Sequence, residues 1–330
     1  MYRRFYGFTK RPFGVTPDPS FLYLTPGHRD ALAQLTYGVQ EKMGFILLTG
    51  EVGTGKTTLL RALLTRLQKD TAVAYAVNST LSFDELLEYL LEDLGVPNPG
   101  RRRAQRVMAL YRFLTEQHRA GSNNLLILDE AQNLDLETLE QIRLLSNFET
   151  TSEKLVQIVL AGQPELTRRL ASPELRQLRQ RIALRCRIHP MTPEETHGYI
   201  ADRLRVAGGA DPRLFTPDAI RMITAYSRGI PRVVNIVCDH CLVAGYANEV
   251  KRIDAAVARL AIEYLDEQED EPHGDGRAAT RRKVVRVAAV LAAGIVSAGV
   301  AVLAWGSSHA GTLTGALVEP LSVFIRRWGQ

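Results

Sequence analysis

At 330 residues the chain is too long for one small domain, and its 45% hydrophobic and 23% charged content exclude a disordered or fibrous protein. Three cysteines, Cys186, Cys238 and Cys241, are too few for a disulfide framework and fit a reducing compartment. The basic balance does not point to nucleic acid: the whole chain carries +5, residues 277–330 hold seven basic side chains against the single acid Glu319, and residues 1–276 therefore come to −1.

The opening "MYRRFYGFTKRPFG" has charge and aromatics but no apolar stretch of the secretory type. Prolines and aromatics follow, then a helical pattern from His28 to Gln40. "FILLTGEVGTGKTTLLRALL" predicts a strand over Phe45–Thr49, a glycine turn and a helix over Lys56–Lys69. "AVAYAV" (72–77) reads as a second strand. "SFDE" (Ser82 to Glu85) is a capping box opening a helix to Leu94, and another helix follows the loop "PNPGRRR" and runs to His118. "NLLILDEAQ" is a third strand ending in Asp129 and Glu130. After the amphipathic "LETLEQIRLLSNF" come a fourth strand, "LVQIVLAG", an Arg-rich helical section and a fifth strand, "ALRCRI". Strands alternating with helices imply an α/β fold with a parallel sheet covered on both faces.

Past His189 the pattern changes. "TPEE" (Thr192 to Glu195) and "TPDA" (Thr216 to Ala219) each set Thr at a helix cap and Pro at the first helical position, and no strand is evident up to Leu265. Residues 1–190 are thus expected to form the α/β core with an N-terminal extension, and residues 191–265 a smaller all-helical domain. Residues 266–286 are a linker, acidic and then basic. Residues 287–305, "VAAVLAAGIVSAGVAVLAW", run 19 residues without a charge. As a helix that is about 28 Å, against a hydrocarbon core of roughly 30 Å. With "RRKVVR" before it and Trp305 at its far edge, it reads as a single transmembrane helix that keeps the large N-terminal part in the cytoplasm, at the inner membrane. Residues 306–330 would be a short extracytoplasmic tail.

Gly50 to Thr57 matches G-x-x-x-x-G-K-[ST] in full and lies between a strand and a helix, as a phosphate-cradling loop requires. Gly50, Gly53 and Gly55 let the backbone approach phosphate oxygens, while the amides of Glu51, Val52, Thr54 and Thr58 belong to the same loop and helix start. Lys56 is the residue expected to reach the β- and γ-phosphates, and the Thr57 hydroxyl to ligate Mg²⁺. Asp129, at the end of the third strand, is the second expected Mg²⁺ ligand, and Glu130 is placed to polarise a water. The expected cofactors are ATP and Mg²⁺, and Glu130 favours hydrolysis over switching alone.

These motifs, together with "VLAGQPEL", "LRQLRQRI" and "GIPR", resemble AAA+ ATPases, and more narrowly the general secretion pathway protein A (ExeA-like) family, whose start resembles "FYGFTKRPFGVTPDPSFLYLTPGHRDALAQLTYGV". The resemblance covers residues 2–265 and implies that the helical domain is a lid. It implies sensor 1 at Gln163, although a plain strand-end hydrogen bond accounts for that residue equally. It implies sensor 2 at Arg232, and a trans-acting arginine finger at Arg181 or, failing that, Arg179, hence self-association into a ring or filament. Phe8 and Phe13 either stack near the adenine or pack a core. Members of the secretion type carry a peptidoglycan-binding domain beyond the span, and residues 306–330 are shorter than such a domain.

The function implied is a membrane-anchored ATPase serving an envelope secretion or polysaccharide-export system. Two alternatives stand beside it: a DNA-linked regulator of the transposition type, for which the arginines between Arg168 and Arg187 speak, and a nucleotide-gated scaffold with little turnover. "CDHC" (Cys238 to Cys241) sits in a helical pattern without a second ligand pair, so buried cysteines are expected there, not zinc. "RRRAQR" (Arg101 to Arg106) reads as a solvated helix start.

Overall fold

Five apolar runs become five parallel strands: β1 (Phe45–Gly50), β2 (Ala72–Ala76), β3 (Asn124–Leu128), β4 (Gln157–Gly162) and β5 (Ile182–Ile188), in the order β2-β3-β4-β1-β5. β1, β3 and β4 are buried along their whole length, which is why they read as unbroken apolar runs and not as alternating ones. The computed structural model describes residues 1–14, 18–68, 70–77, 81–100, 102–151, 153–209, 211 and 213–269. The expected apolar span at 287–305 and the tail at 306–330 lie outside the described residues. Among the described residues, no helix is long and apolar enough to cross a membrane.

Helices cover both faces. Leu47, Leu126, Leu128, Ile158 and Leu160 point to one face, where α4 (Phe83–Asp93), α5 (Arg103–Arg119), α6 (Leu136–Leu145), α7 (Pro164–Leu170) and α8 (Arg176–Arg181) supply Leu87, Leu110, Leu139, Leu166 and Leu178. The alternate residues Ile46, Leu48, Leu125, Ile127 and Val159 meet α2 (Pro26–Gln40) and α3 (Lys56–Leu64) on the other. In α2, Ala31, Leu35 and Val39 recur every four residues and form its inward face. Full burial of one such leucine is worth about 1.5–3 kcal/mol.

α9 (Pro193–Val206), α10 (Pro217–Ser227), α11 (Pro231–Ala247) and α12 (Ala255–Glu269) make the helical domain. Thr192 and Thr216 cap α9 and α10 as the sequence predicts, the first in a complete capping box with Glu195. Among the described residues no strand forms here, and a single bridge joins Phe215 to Ile253.

The N-terminal extension packs differently from the expectation based on chain order. Phe8, Phe13 and Phe21 are buried in the helical domain's core, among Ile200, Phe215 and Cys238. α1 (Tyr2–Tyr6) is tied to the same domain: the Tyr2 hydroxyl donates to Asp239 at 2.6 Å and that of Tyr6 to the Val250 carbonyl at 2.9 Å. Buried Arg203 on α9 completes the seam, donating to the Pro12 carbonyl (2.6 Å) and to the Tyr199 hydroxyl (2.8 Å) with its guanidinium 4.7 Å from the Phe21 ring centre. The helical domain has an apolar side that its own helices leave uncovered, and these aromatics fill it. Core and helical domain together, Met1–Gln268, make one packed unit.

Candidate functional site

β1 delivers the chain to Gly50 at the carboxyl edge of the sheet, the loop turns back on itself, and α3 begins at Lys56. The Lys56 side chain is buried, and its Nζ donates to the carbonyls of Gly50 (2.9 Å) and Glu51 (3.1 Å). Burial lowers its pKa below the usual lysine value, while the charges of Glu130, Asp129, Glu51 and Glu165 oppose that shift. Two neutral carbonyls are weak partners for a buried ammonium, so a ligand offering anionic oxygens outcompetes them.

Asp129 leaves β3 buried, with its main-chain N–H on the Ala76 carbonyl of β2 at 2.9 Å. Its carboxylate accepts from the Thr57 hydroxyl (2.8 Å), the Tyr75 hydroxyl (3.0 Å) and the Glu130 N–H (2.9 Å). Burial and then the Asp129 charge push the Tyr75 phenol upward, so it stays a donor. Thr57 and Asp129 are thus joined across 72 residues, a hydroxyl and a carboxylate directly beneath the glycine loop. This all-oxygen pair with one full charge suits Mg²⁺, which takes few protein ligands and completes its shell with phosphate oxygens and water. Among the described residues no group of three or more His, Cys, Asp or Glu could hold a metal without such help.

Glu130 sits at φ +53°, in the left-handed region that costs a non-glycine residue about 1 kcal/mol. Its Oε2 accepts from Gln132 Nε2 (2.6 Å) and from Gln163 Nε2 (3.3 Å). Gln132 in turn accepts the Gln163 N–H through Oε1 (3.1 Å), and Arg169 donates to its carbonyl. The end of β4 and the turn after β3 therefore hold one carboxylate from two sides. Such strained, over-determined placement is typical of functional positions.

The helical domain reaches the glycine loop at the start of α11. The N–H of Arg232, one of the donors a helix start leaves over, bonds the Gly53 carbonyl at 3.3 Å. A Cβ on Gly53 would lie 2.7 Å from the Arg232 Cβ, so glycine at 53 is required for this approach as well as for its φ of +79°. Gly229, at φ +72°, lies so close to Met191 that a Cβ would fall 2.0 Å from its carbonyl oxygen. Between core and helical domain lies a cavity of about 550 Å³ lined by Gly53 to Thr58, Glu130, Arg232, Phe21, Tyr23 and Arg203 among others. Phe8 and Phe13 are not part of that lining: they are packing residues, and Phe21, Tyr23 and Tyr199 are the aromatics that face the cavity among the described residues.

A sequence profile described as an AAA domain matches residues 39–170. General secretion pathway protein A of Aeromonas hydrophila is 42% identical over 254 residues, 77% of this chain and 46% of that protein. The chain carries an AAA domain and is similar to general secretion pathway protein A over most of its own length. It spans about half the length of the curated relative it matches. Solved structures share the AAA+ fold at lower identity. The Aeropyrum pernix ORC2 protein, in its ADPNP-ADP complexes, has a TM-score of 0.59 at 18% identity, with 78% of this chain and 72% of that chain covered. Cdc6p of Pyrobaculum aerophilum has 0.54 at 22%, with 72% and 68% covered. Drosophila ORC bound to DNA has 0.56 at 17%, with 76% and 63% covered.

Set in an AAA+ frame, Lys56, Thr57, Asp129, Glu130, Gln163 and Arg232 converge on one site. Arg181 does not enter it: its guanidinium donates to the Ser146 hydroxyl at 2.6 Å, at the end of α6. Arg179 donates to the Ala171 carbonyl at 3.3 Å. Three site residues were missed in the sequence. Tyr75 lay inside a correctly placed strand, and strand periodicity does not say which face meets the site. Gln132 stood within the quoted "DEAQ". His28, whose ring bonds the Thr54 carbonyl at 2.8 Å, lies on a helix far ahead of the loop it touches. Cys238 and Cys241 are buried as expected, Cys186 is buried too, and burial raises the thiols of Cys186 to about 11 and Cys241 to about 12.

Proposed function

We propose that the chain is a membrane-anchored, Mg²⁺-dependent ATP hydrolase that assembles or regulates a bacterial envelope secretion or polysaccharide-export system. The observation that carries the hydrolytic part is Glu130, held by Gln132 and Gln163 beside the Thr57–Asp129 pair. ATP fits the glycine loop with Lys56 on its phosphates, and Mg²⁺ fits Thr57 and Asp129, where it would neutralise charge between the β- and γ-phosphates. Glu130 is then the group that orients a water and takes its proton, with Gln163 within reach of the same carboxylate. Arg232 supplies positive charge from the lid and links nucleotide occupancy to lid position.

The trans-acting arginine is Arg181 or Arg179, and either must leave its present intrachain partner to serve a neighbouring copy. Hydrolysis would then depend on self-association into a ring or filament. The membrane anchor is residues 287–305, with the AAA+ body on the cytoplasmic side of the inner membrane. Likeness to general secretion pathway protein A supports the secretion setting.

ATP turnover of the full chain, measured against protein concentration with and without duplex DNA, tests this reading, with Lys56→Ala as the blank. Specific activity that rises with concentration and ignores DNA is the expected result. Activity raised several-fold by DNA and lost in salt would transfer the assignment to a DNA-linked regulator. Nucleotide binding without turnover would leave a nucleotide-gated scaffold. A full-length protein that stays out of the membrane fraction would sink the anchor.

A further inference from the structure

The glycine loop is braced from outside its own strand–turn–helix unit by His28, in the first turn of α2. Thr25 caps that helix, accepting the His28 main-chain N–H at 3.2 Å, and its hydroxyl lies 2.7 Å from His28 Nδ1. His28 Nε2 lies 2.8 Å from the carbonyl oxygen of Thr54. A carbonyl can only accept, so Nε2 carries a proton and donates it, while Nδ1 is paired with the Thr25 hydroxyl. Both ring nitrogens of a buried histidine are thereby committed, one to its helix and one to the loop.

We propose that His28 is a positioning residue for the nucleotide's phosphates, holding the Thr54 carbonyl outward so that the Gly55 N–H is presented to the cavity. The inference rests on the nucleotide reading above. A trans peptide is planar, with its C=O and N–H pointing in opposite directions, so anchoring one sets the other. Gly55 is at φ +100°, where a glycine has little resistance of its own to a peptide flip. The His28 ring also closes the space beside it: a Cβ on Gly55 would lie 3.3 Å from Nε2. In a loop of this pattern the amides cradle the α- and β-phosphates. Gly55 immediately precedes Lys56, the residue expected on the β- and γ-phosphates, so the Gly55 N–H is assigned to the β-phosphate, and the brace matters for ADP more than for AMP.

The test is the affinity of the full chain for ADP and for AMP, with two substitutions. His28→Asn can still bond Thr25 but is too short to reach the Thr54 carbonyl, whereas His28→Gln carries an amide donor out to the position of Nε2. His28→Asn is expected to weaken ADP by about tenfold and leave AMP unchanged, and His28→Gln to restore ADP to within about threefold of wild type. A fall in the ADP-to-AMP affinity ratio is something a merely structural role would not produce. Wild-type ADP affinity in the folded Asn variant, or an equal loss for both nucleotides, would overturn the proposal. Should His28→Asn fail to fold, His28→Gln decides: retained discrimination supports the brace, and lost discrimination with the donor present overturns it. A wild-type chain that binds neither nucleotide would overturn the nucleotide reading itself, and the role of His28 with it.

Discussion

Glu130 shows how a single side chain concentrates the constraints of the site. Its backbone is in the left-handed region, its Oε2 accepts from two glutamine amides, and it follows an aspartate that accepts three hydrogen bonds. Glu130→Gln is expected to lower ATP turnover by about a hundred- to ten-thousandfold while ATP stays bound, as turnover and nucleotide affinity measured side by side will show. Unchanged turnover would remove the general base from the mechanism. Gln132 acts one step further out, by orienting Glu130. Gln132→Leu is expected to lower turnover by about tenfold with nucleotide affinity intact, because one donor to the carboxylate is lost. A loss of affinity instead would mean that Gln132 shapes the loop and not the base.

At the scale of elements, the start of α11 is the joint between the helical domain and the glycine loop. It combines a glycine that no other residue can replace cheaply, a proline at the first helical position and the arginine whose N–H meets Gly53. Gly229→Ala adds a Cβ at a positive φ and in collision with the Met191 carbonyl. It is expected to destabilise the protein by more than about 1 kcal/mol and to weaken nucleotide binding, since the helix start must move. A thermal melt and an ADP titration check the two effects, and a wild-type melting point would contradict the packing described. Thr216→Ala, by contrast, removes a cap that does not line the cavity and should cost about 1 kcal/mol of stability without changing nucleotide affinity.

At the scale of the molecule, the N-terminal segment runs from the helical domain to the core past the cavity. Phe8 and Phe13 sit in the helical domain, Phe21 and Tyr23 face the cavity, and α2 packs on the sheet. The same helical core encloses Cys238 and Cys241, while Cys186 lies under α2 in the sheet, and burial holds all three thiols above their ordinary pKa. None should react with a thiol reagent at pH 8 in the folded protein, and all three should react on denaturation. Removing residues 1–14 opens the helical core on its aromatic side, so Cys238 and Cys241 are expected to become reactive while Cys186 stays protected. Unaltered protection of the pair after that truncation would show that the helices close their own core.

Features that depend on local order were legible in the chain before any folding. Unbroken apolar runs placed β1, β3 and β4, because a strand buried on both faces needs no partner's pattern to be recognised, while β2 and β5 followed from the alternation of strands with helices. The caps at Ser82, Thr192 and Thr216 formed as written, since each cap bonds an N–H only three residues on. The glycine loop and the acids after β3 were readable for the same reason: backbone conformation and strand-end position are set within a few residues. Contacts whose partners lie far apart in the chain emerged only on folding. His28 with Thr54, Tyr75 with Asp129 and Arg203 with Pro12 have no periodicity or spacing to announce them. The allegiance of the N-terminal aromatics was likewise hidden, because burial of an apolar ring depends on which surface is left uncovered when everything else has packed.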